Sequence, residues 1–257
     1  MEMEDNVISP TPESAVQRPG LISRFWRVFV EPAKLFPTLN RKTDWIIPFV
    51  VVAVLGGIMG FMTRPIYTRE LMPMALQNIE KYRQQMGEEQ FNRVKAEIEK
   101  GFNEAMANPF KWYYFLIWFL YPLVIFGVIS ALGLIAGNFL FGGKANFWII
   151  VNVVAYAALV GLLGDLVRSA LVLSKDSISV YTGLGLLKPI DDGSFLFYLI
   201  RQIDAFTIWR IIVTAIGLGV VYNMKPKKFG YVLLSVWLIF ILIVSLGNLF
   251  TGGTIIY

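Results

Sequence analysis

The chain contains no cysteine and no histidine. Their absence removes thiol nucleophiles, disulfides and imidazole bases, and nearly all zinc, copper and haem ligation. Charge is scarce as well. Asp, Glu, Lys and Arg make up 16% of the residues, against about a quarter in soluble domains. The sequence holds no G-x-S-x-G elbow, no Walker A loop and no spaced metal ligands. Carboxylates, hydroxyls, lysine and arginine are what remain for chemistry, and the chain reads as a non-enzyme with no cofactor and no metal site.

Long apolar runs fill the space that charge leaves. They cover residues 45–62, 112–141, 147–173, 206–222 and 229–250. A bilayer core of ~30 Å needs about 20 apolar residues at ~1.5 Å per residue, so each run meets or approaches a crossing. The expected fold class is all-α: a polytopic helical bundle of five transmembrane helices. Residues 1–20 are acidic and Pro- and Ser-containing, without the basic and apolar regions of a cleavable leader, and read as a disordered tail.

Residues 21–43 form a cytosolic amphipathic segment ahead of a membrane domain spanning 44–257. Leu21, Ile22, Phe25, Trp26, Phe29 and Val30 share one helical face, opposite Ser23, Arg24 and Arg27. Such a helix lies in the headgroup plane, with Arg24, Trp26 and Arg27 as membrane-surface contacts, or packs on the cytoplasmic end of the bundle. Between the first two spans, residues 64–111 show two apolar stripes parted by Gly87, which predicts a polar helical hairpin. Its basic and acidic residues nearly cancel, so it offers no nucleic-acid surface. Gly56 and Gly60, and Gly133 and Gly137, have the four-residue spacing that lets helices approach closely.

The short loops set an orientation. Arg41, Lys42, Lys144, Lys225, Lys227 and Lys228 flank spans on one side in compact basic segments, which places that side and the N-terminus inside, and the C-terminus outside.

Four charges stand out near apolar runs. Asp165 and Arg168 are three residues apart in the third run and can pair. They are an interfacial pair, a pin that fixes helix packing, or part of a solute or proton pathway. Asp204 and Arg210 bracket the start of the fourth run, where Asp204 can pair with Arg201 or Arg210. Asn138, Asn152 and Asn248 suit interhelical hydrogen bonds.

Several short patterns recur in order. Glu31-Pro32-x-x-x-Phe36 follows the amphipathic segment, and Trp45 and Pro48 open the first span. Gly142-Gly143, with Lys144 and Phe147, precedes the third. Asp204-x-Phe206-x-x-Trp209, with Gly217 and Gly219 downstream, opens the fourth. From about residue 25 to the end, this set resembles the Yip (Ypt/Rab-interacting protein) domain family, in its bacterial branch. The resemblance implies five spans, a cytosolic N-terminus and an outside C-terminus, and for this branch a bacterial inner-membrane location. Eukaryotic members bind prenylated Rab-type GTPases in vesicle traffic, oligomerise and are linked to membrane shaping. No family catalytic residue exists to carry over, and the polar hairpin departs from the compact eukaryotic arrangement.

Two functional readings follow. The first is a non-enzymatic scaffold that binds partners or organises membrane, with lipid and protein partners or a second copy as its contacts. The alternative is a small transporter or channel component that uses the Asp165 and Arg168 pair.

Overall fold

The computed structural model describes residues 18–109, 111–187 and 193–251. Residues 188–192, most of the N-terminal tail and residues 252–257 fall outside the described residues.

Helix α1 (Leu21–Val30) ends where Glu31 leaves helical geometry and Pro32 opens the short helix α2 (Pro32–Leu35). A 3-10 turn over Phe36–Thr38 then leads toward the first long helix. Leu35, Phe36 and Leu39 are buried, so this segment is anchored in the bundle core.

Helix α3 (Ile46–Glu80) runs for 35 residues, ~52 Å, nearly twice the apolar thickness of a bilayer. The sequence reading ends the first span near Met62 and begins a separate polar hairpin at Arg64. Instead the polar stretch continues the same helix, through Pro65 and Pro73. Proline costs a helix one backbone hydrogen bond, but Tyr114 beneath the Arg64 guanidinium (3.2 Å to the ring centre) and Ile66 packed on Val172 brace this stretch. Helix α4 (Arg83–Met86) and Gly87, at φ +77°, then turn the chain into α5 (Glu88–Ala107). Leu71, Ala75 and Ile79 of α3 face Ile98 and Phe102 of α5 across a cleft of about 320 Å³.

Helix α6 (Trp112–Leu134) passes into a π-helical stretch, Ile135–Leu140. After a tight connection comes α7 (Phe147–Lys175), capped by the Asn146 side chain on the Trp148 N–H. A 3-10 turn, Leu184–Leu187, precedes α8 (Phe195–Ile200), whose cap is the Ser194 hydroxyl on the Phe197 N–H at 3.1 Å. Helices α9 (Ala205–Val221) and α10 (Pro226–Thr251) complete the bundle. No strand occurs among the described residues; one isolated bridge joins Gly183 to Asp204.

Four helices, α3, α6–π (Trp112–Leu140), α7 and α10, are long and apolar enough to cross a membrane. The fifth apolar run forms α9, whose 17 residues rise ~25 Å, the short limit for a crossing. In α7, 67% of the most apolar stretch is buried, against 11% in α6, so α7 is the central post and α6 faces outward. Helices α1, α3, α6 and α9 all pack on α7.

One end of the bundle is closed by aromatic and amide contacts. The Tyr222 hydroxyl donates to Asn138 Oδ1 at 2.8 Å, and the same oxygen accepts the Ala145 N–H at 3.1 Å. Tyr222 also stacks on Phe229, with ring centres 5.2 Å apart. At the other end Arg69 meets the Asp176 carboxylate at 2.9 Å, and Glu70 accepts from Ser177 and Ile178.

Candidate functional site

Helices α7 and α9 meet through small residues on α7. A Cβ at Gly161 would lie 3.2 Å from the Arg210 side chain, and one at Gly164 would lie 2.7 Å from Phe206. Helix α9 thus lays Phe206 and Arg210 directly over α7, beside Asp165. The charged groups around Asp165 are Arg210, Arg168 and Asp204. All four charges singled out in the sequence therefore share one junction.

Their pairing differs from the simple i,i+3 expectation. Among the described residues no ion pair within 4 Å joins Asp165 to Arg168 or Arg210. Among the described residues, the buried Arg168 Nε has no hydrogen-bond partner. Asp204 is occupied as a helix cap: Oδ1 accepts the Phe206 and Thr207 N–H groups at 2.8 and 3.0 Å, and Oδ2 the Thr207 hydroxyl. Arg201 lies over the Tyr198 ring at 4.9 Å. Asp204 also sits against Gly183, where a Cβ would meet the Ile203 carbonyl at 2.1 Å, so the 183–187 loop closes this junction from above.

A second junction forms around α1 and α2. Pro32 starts α2, and Phe36 seats against Gly217, whose Cβ would lie 2.9 Å from its ring and 2.4 Å from Val153. Phe29 packs edge-on to Trp209 at 5.7 Å, and Phe25 lies 6.2 Å from Tyr156. Gly142 takes φ +67° in the turn before α7, and Gly143 lies under the Tyr222 ring. Phe36 and Trp209 are thus contacts between α1–α2, α7 and α9, while Gly142 and Gly143 shape the turn before α7.

The amphipathic helix does not present Arg24 to solvent. Arg24 and Arg18 both ion-pair with Asp44, a carboxylate only 4% exposed, and Arg24 Nε donates to the Pro19 carbonyl at 2.8 Å. Val28 is fully buried, whereas Ile22 is 87% and Trp26 66% exposed. The apolar arc of α1 is wider than the bundle can cover, which leaves Leu21, Ile22, Trp26 and Val30 facing outward. Sequence reasoning missed Asp44 and Tyr156. Asp44 is the one acidic residue in the basic run before α3, and that was the available signal.

No group of His, Cys, Asp and Glu that could hold a metal occurs among the described residues. Two clefts lie at the periphery, between α3 and α5 and at the α9–α10 turn.

Central burial of α7 and apolar outer faces on α3, α6 and α10 define a polytopic helical membrane protein, integral to the bilayer. The chain belongs to the Yip1 domain family, whose model matches residues 26–247. No curated protein and no solved structure matches the chain.

Proposed function

We propose that the protein is a non-enzymatic membrane organiser that crosses the bilayer five times, with its N-terminus inside and its C-terminus outside, in the manner of a bacterial inner-membrane protein. α9 is then the fifth crossing, short because α8 and the 183–187 loop fill the space above it. The domain organisation is a tail, the α1–α2 segment, and the membrane domain with its α3–α5 polar arm.

The observation that carries this reading is the outward apolar face of α1. Phe25 contacts Tyr156, which stands ~12 Å along α7 from Trp148. Helix α1 therefore lies beside the first turns of α7, at the boundary of headgroups and acyl chains, and its Ile22, Trp26 and Val30 side chains meet lipid there. Extra apolar volume on one side of a bilayer favours bending toward the other. Reconstitution at rising protein-to-lipid ratio should reduce mean vesicle diameter, measured by cryo-electron microscopy. The pair Ile22→Asp and Trp26→Glu, which alters exposed positions only, should abolish the reduction. Vesicles of unchanged size with the native chain would sink this reading.

One observation favours the pathway alternative: Asp165 has arginines on two helices around it, yet no ion pair within 4 Å among the described residues. An intramembrane carboxylate held this way can take up and release a cation or proton. Flux into liposomes that is lost in Asp165→Asn would replace the organiser reading with this one.

A further inference from the structure

The N-terminal segment gathers more positive charge than it pairs. Asp44 Oδ1 contacts the Arg18 guanidinium and lies 3.6 Å from that of Arg24, while Oδ2 accepts the Arg41 backbone N–H at 3.0 Å. One carboxylate thus serves two arginines, and Arg41 stands close enough to add its field. Burial, and then the neighbouring charges of Arg24 and Arg41, push the Arg18 guanidinium below its ordinary value. Arg24 and Asp44 form a buried floor, with side chains 12% and 4% exposed; Arg18 (26%) and the exposed Arg41 form an open rim.

Among the described residues, two buried polar atoms in this cluster lack a hydrogen-bond partner. Arg18 Nε is unpaired, and so is the hydroxyl of Tyr156, a side chain with no solvent exposure that lies in the field of Arg18. Buried polar groups are ordinarily satisfied, so both point to an acceptor that belongs there. The start of α1 adds to this demand, since Gly20 supplies no side-chain cap for the first N–H groups of a ten-residue helix.

The level of the cluster identifies what is available. Asp44 immediately precedes Trp45, which stacks on Trp148 at 6.1 Å. Paired tryptophans at helix ends mark the headgroup layer. Planar guanidinium donors suit carboxylate and phosphate oxygens alike, and the oxygen-rich anion that the headgroup layer supplies is a phosphate.

We propose that Arg18, Arg24, Arg41 and the Tyr156 hydroxyl form a phosphate-binding site beside α1. The site deepens the membrane-organiser reading and rests on it for its position in the headgroup layer. Arg24 and Asp44 hold the floor, and Arg18 and Arg41 close over the phosphate oxygens.

The test uses the full chain in uncharged detergent, with its melting temperature followed against short-chain phosphatidylglycerol, short-chain diacylglycerol and inorganic phosphate. A saturable rise with phosphatidylglycerol and none with diacylglycerol is expected. A rise with inorganic phosphate as well would show that the site takes free phosphate too. Arg24→Gln should weaken the apparent affinity about tenfold or more, the value of a charge-assisted hydrogen bond. Tyr156→Phe removes one oxygen and keeps the ring, so it should weaken affinity several-fold even if the arginine variant does not fold. Lys144→Gln and Lys227→Gln, basic residues outside the cluster, should change nothing. An equal rise with diacylglycerol, or an equal loss in the lysine variants, would overturn the proposal. A phosphatidylglycerol effect without any change in vesicle size would keep the site and remove the organiser role. The converse result would remove the site alone.

Discussion

Glycines four apart look alike in a sequence and differ in what they touch. Nothing lies within 4 Å of a Cβ built on Gly56, whereas one on Gly137 would fall 2.0 Å from the Tyr222 ring. Gly137→Ala should therefore push Tyr222 off Asn138 and cost about 1–3 kcal/mol or more, as overpacking does. Gly56→Ala should be neutral or slightly stabilising, because alanine favours a helix by about 1 kcal/mol over glycine. Thermal melts of both variants in detergent check this, and equal losses would contradict the packing described. The same blindness affected the charges. The sequence paired Asp165 with Arg168 by spacing, but spacing along one helix omits what an adjacent helix brings. Gly161 and Gly164 let α9 set Phe206 and Arg210 against that face, so the charges around Asp165 come from two helices although none pairs with it within 4 Å among the described residues.

Element existence was legible where periodicity or length was strong. The amphipathic helix at 21–30, the aromatic start of α6 at Trp112 and the short turn before α7 all fall where local chemistry puts them, whereas Asp204, expected to pair with an arginine, caps α9 instead. The end of α3 was not legible, because a change from apolar to polar residues at Arg64 marks a change of surroundings and not of backbone. What stops that helical arm is instead local: Gly87 turns the chain, and Arg83 clasps Glu88 at 3.0 Å and Glu80 at 2.9 Å. The hydrogen bond from Arg83 holds the Glu88 carboxyl below its ordinary range. A depressed carboxylate stabilises the fold above its unfolded pKa, about 4.3, and that contribution is lost as pH falls through the lower folded value. The α4–α5 turn should thus loosen below about pH 4, seen as faster amide exchange over residues 83–92. The spans should be unaffected. Both groups are exposed, so salt should weaken the clasp as well.

At the scale of the molecule, the two ends of the bundle are chemically different. Trp45, Trp148, Asn138 and Tyr222 gather at one end, together with the turns that carry Lys42, Lys144 and Lys227. The α3–α5 arm projects from the other, where the Tyr82 hydroxyl donates to the Phe250 carbonyl at 3.2 Å. Tertiary contacts therefore sort the loops into two sets before any membrane is considered, and the basic set is the one that the positive-inside rule keeps in the cytoplasm. The absence of native cysteine makes the assignment directly testable with single added cysteines. Lys42, Lys144 and Lys227 are exposed, so cysteine at each should react with an impermeant thiol reagent only after the membrane is opened. Cysteine at Gln84 or Asn103, exposed on the polar arm, should react in intact cells. Thr38 would be a poor reporter despite its place in the sequence, because it is 6% exposed and its hydroxyl donates to the Leu35 carbonyl. Labelling of Lys227→Cys in intact cells together with protection of Gln84→Cys would invert the orientation while leaving the two sets intact. Labelling of Lys42→Cys and Lys227→Cys from opposite sides would instead mean that α9 does not cross, since the chain between them would then make an odd number of crossings.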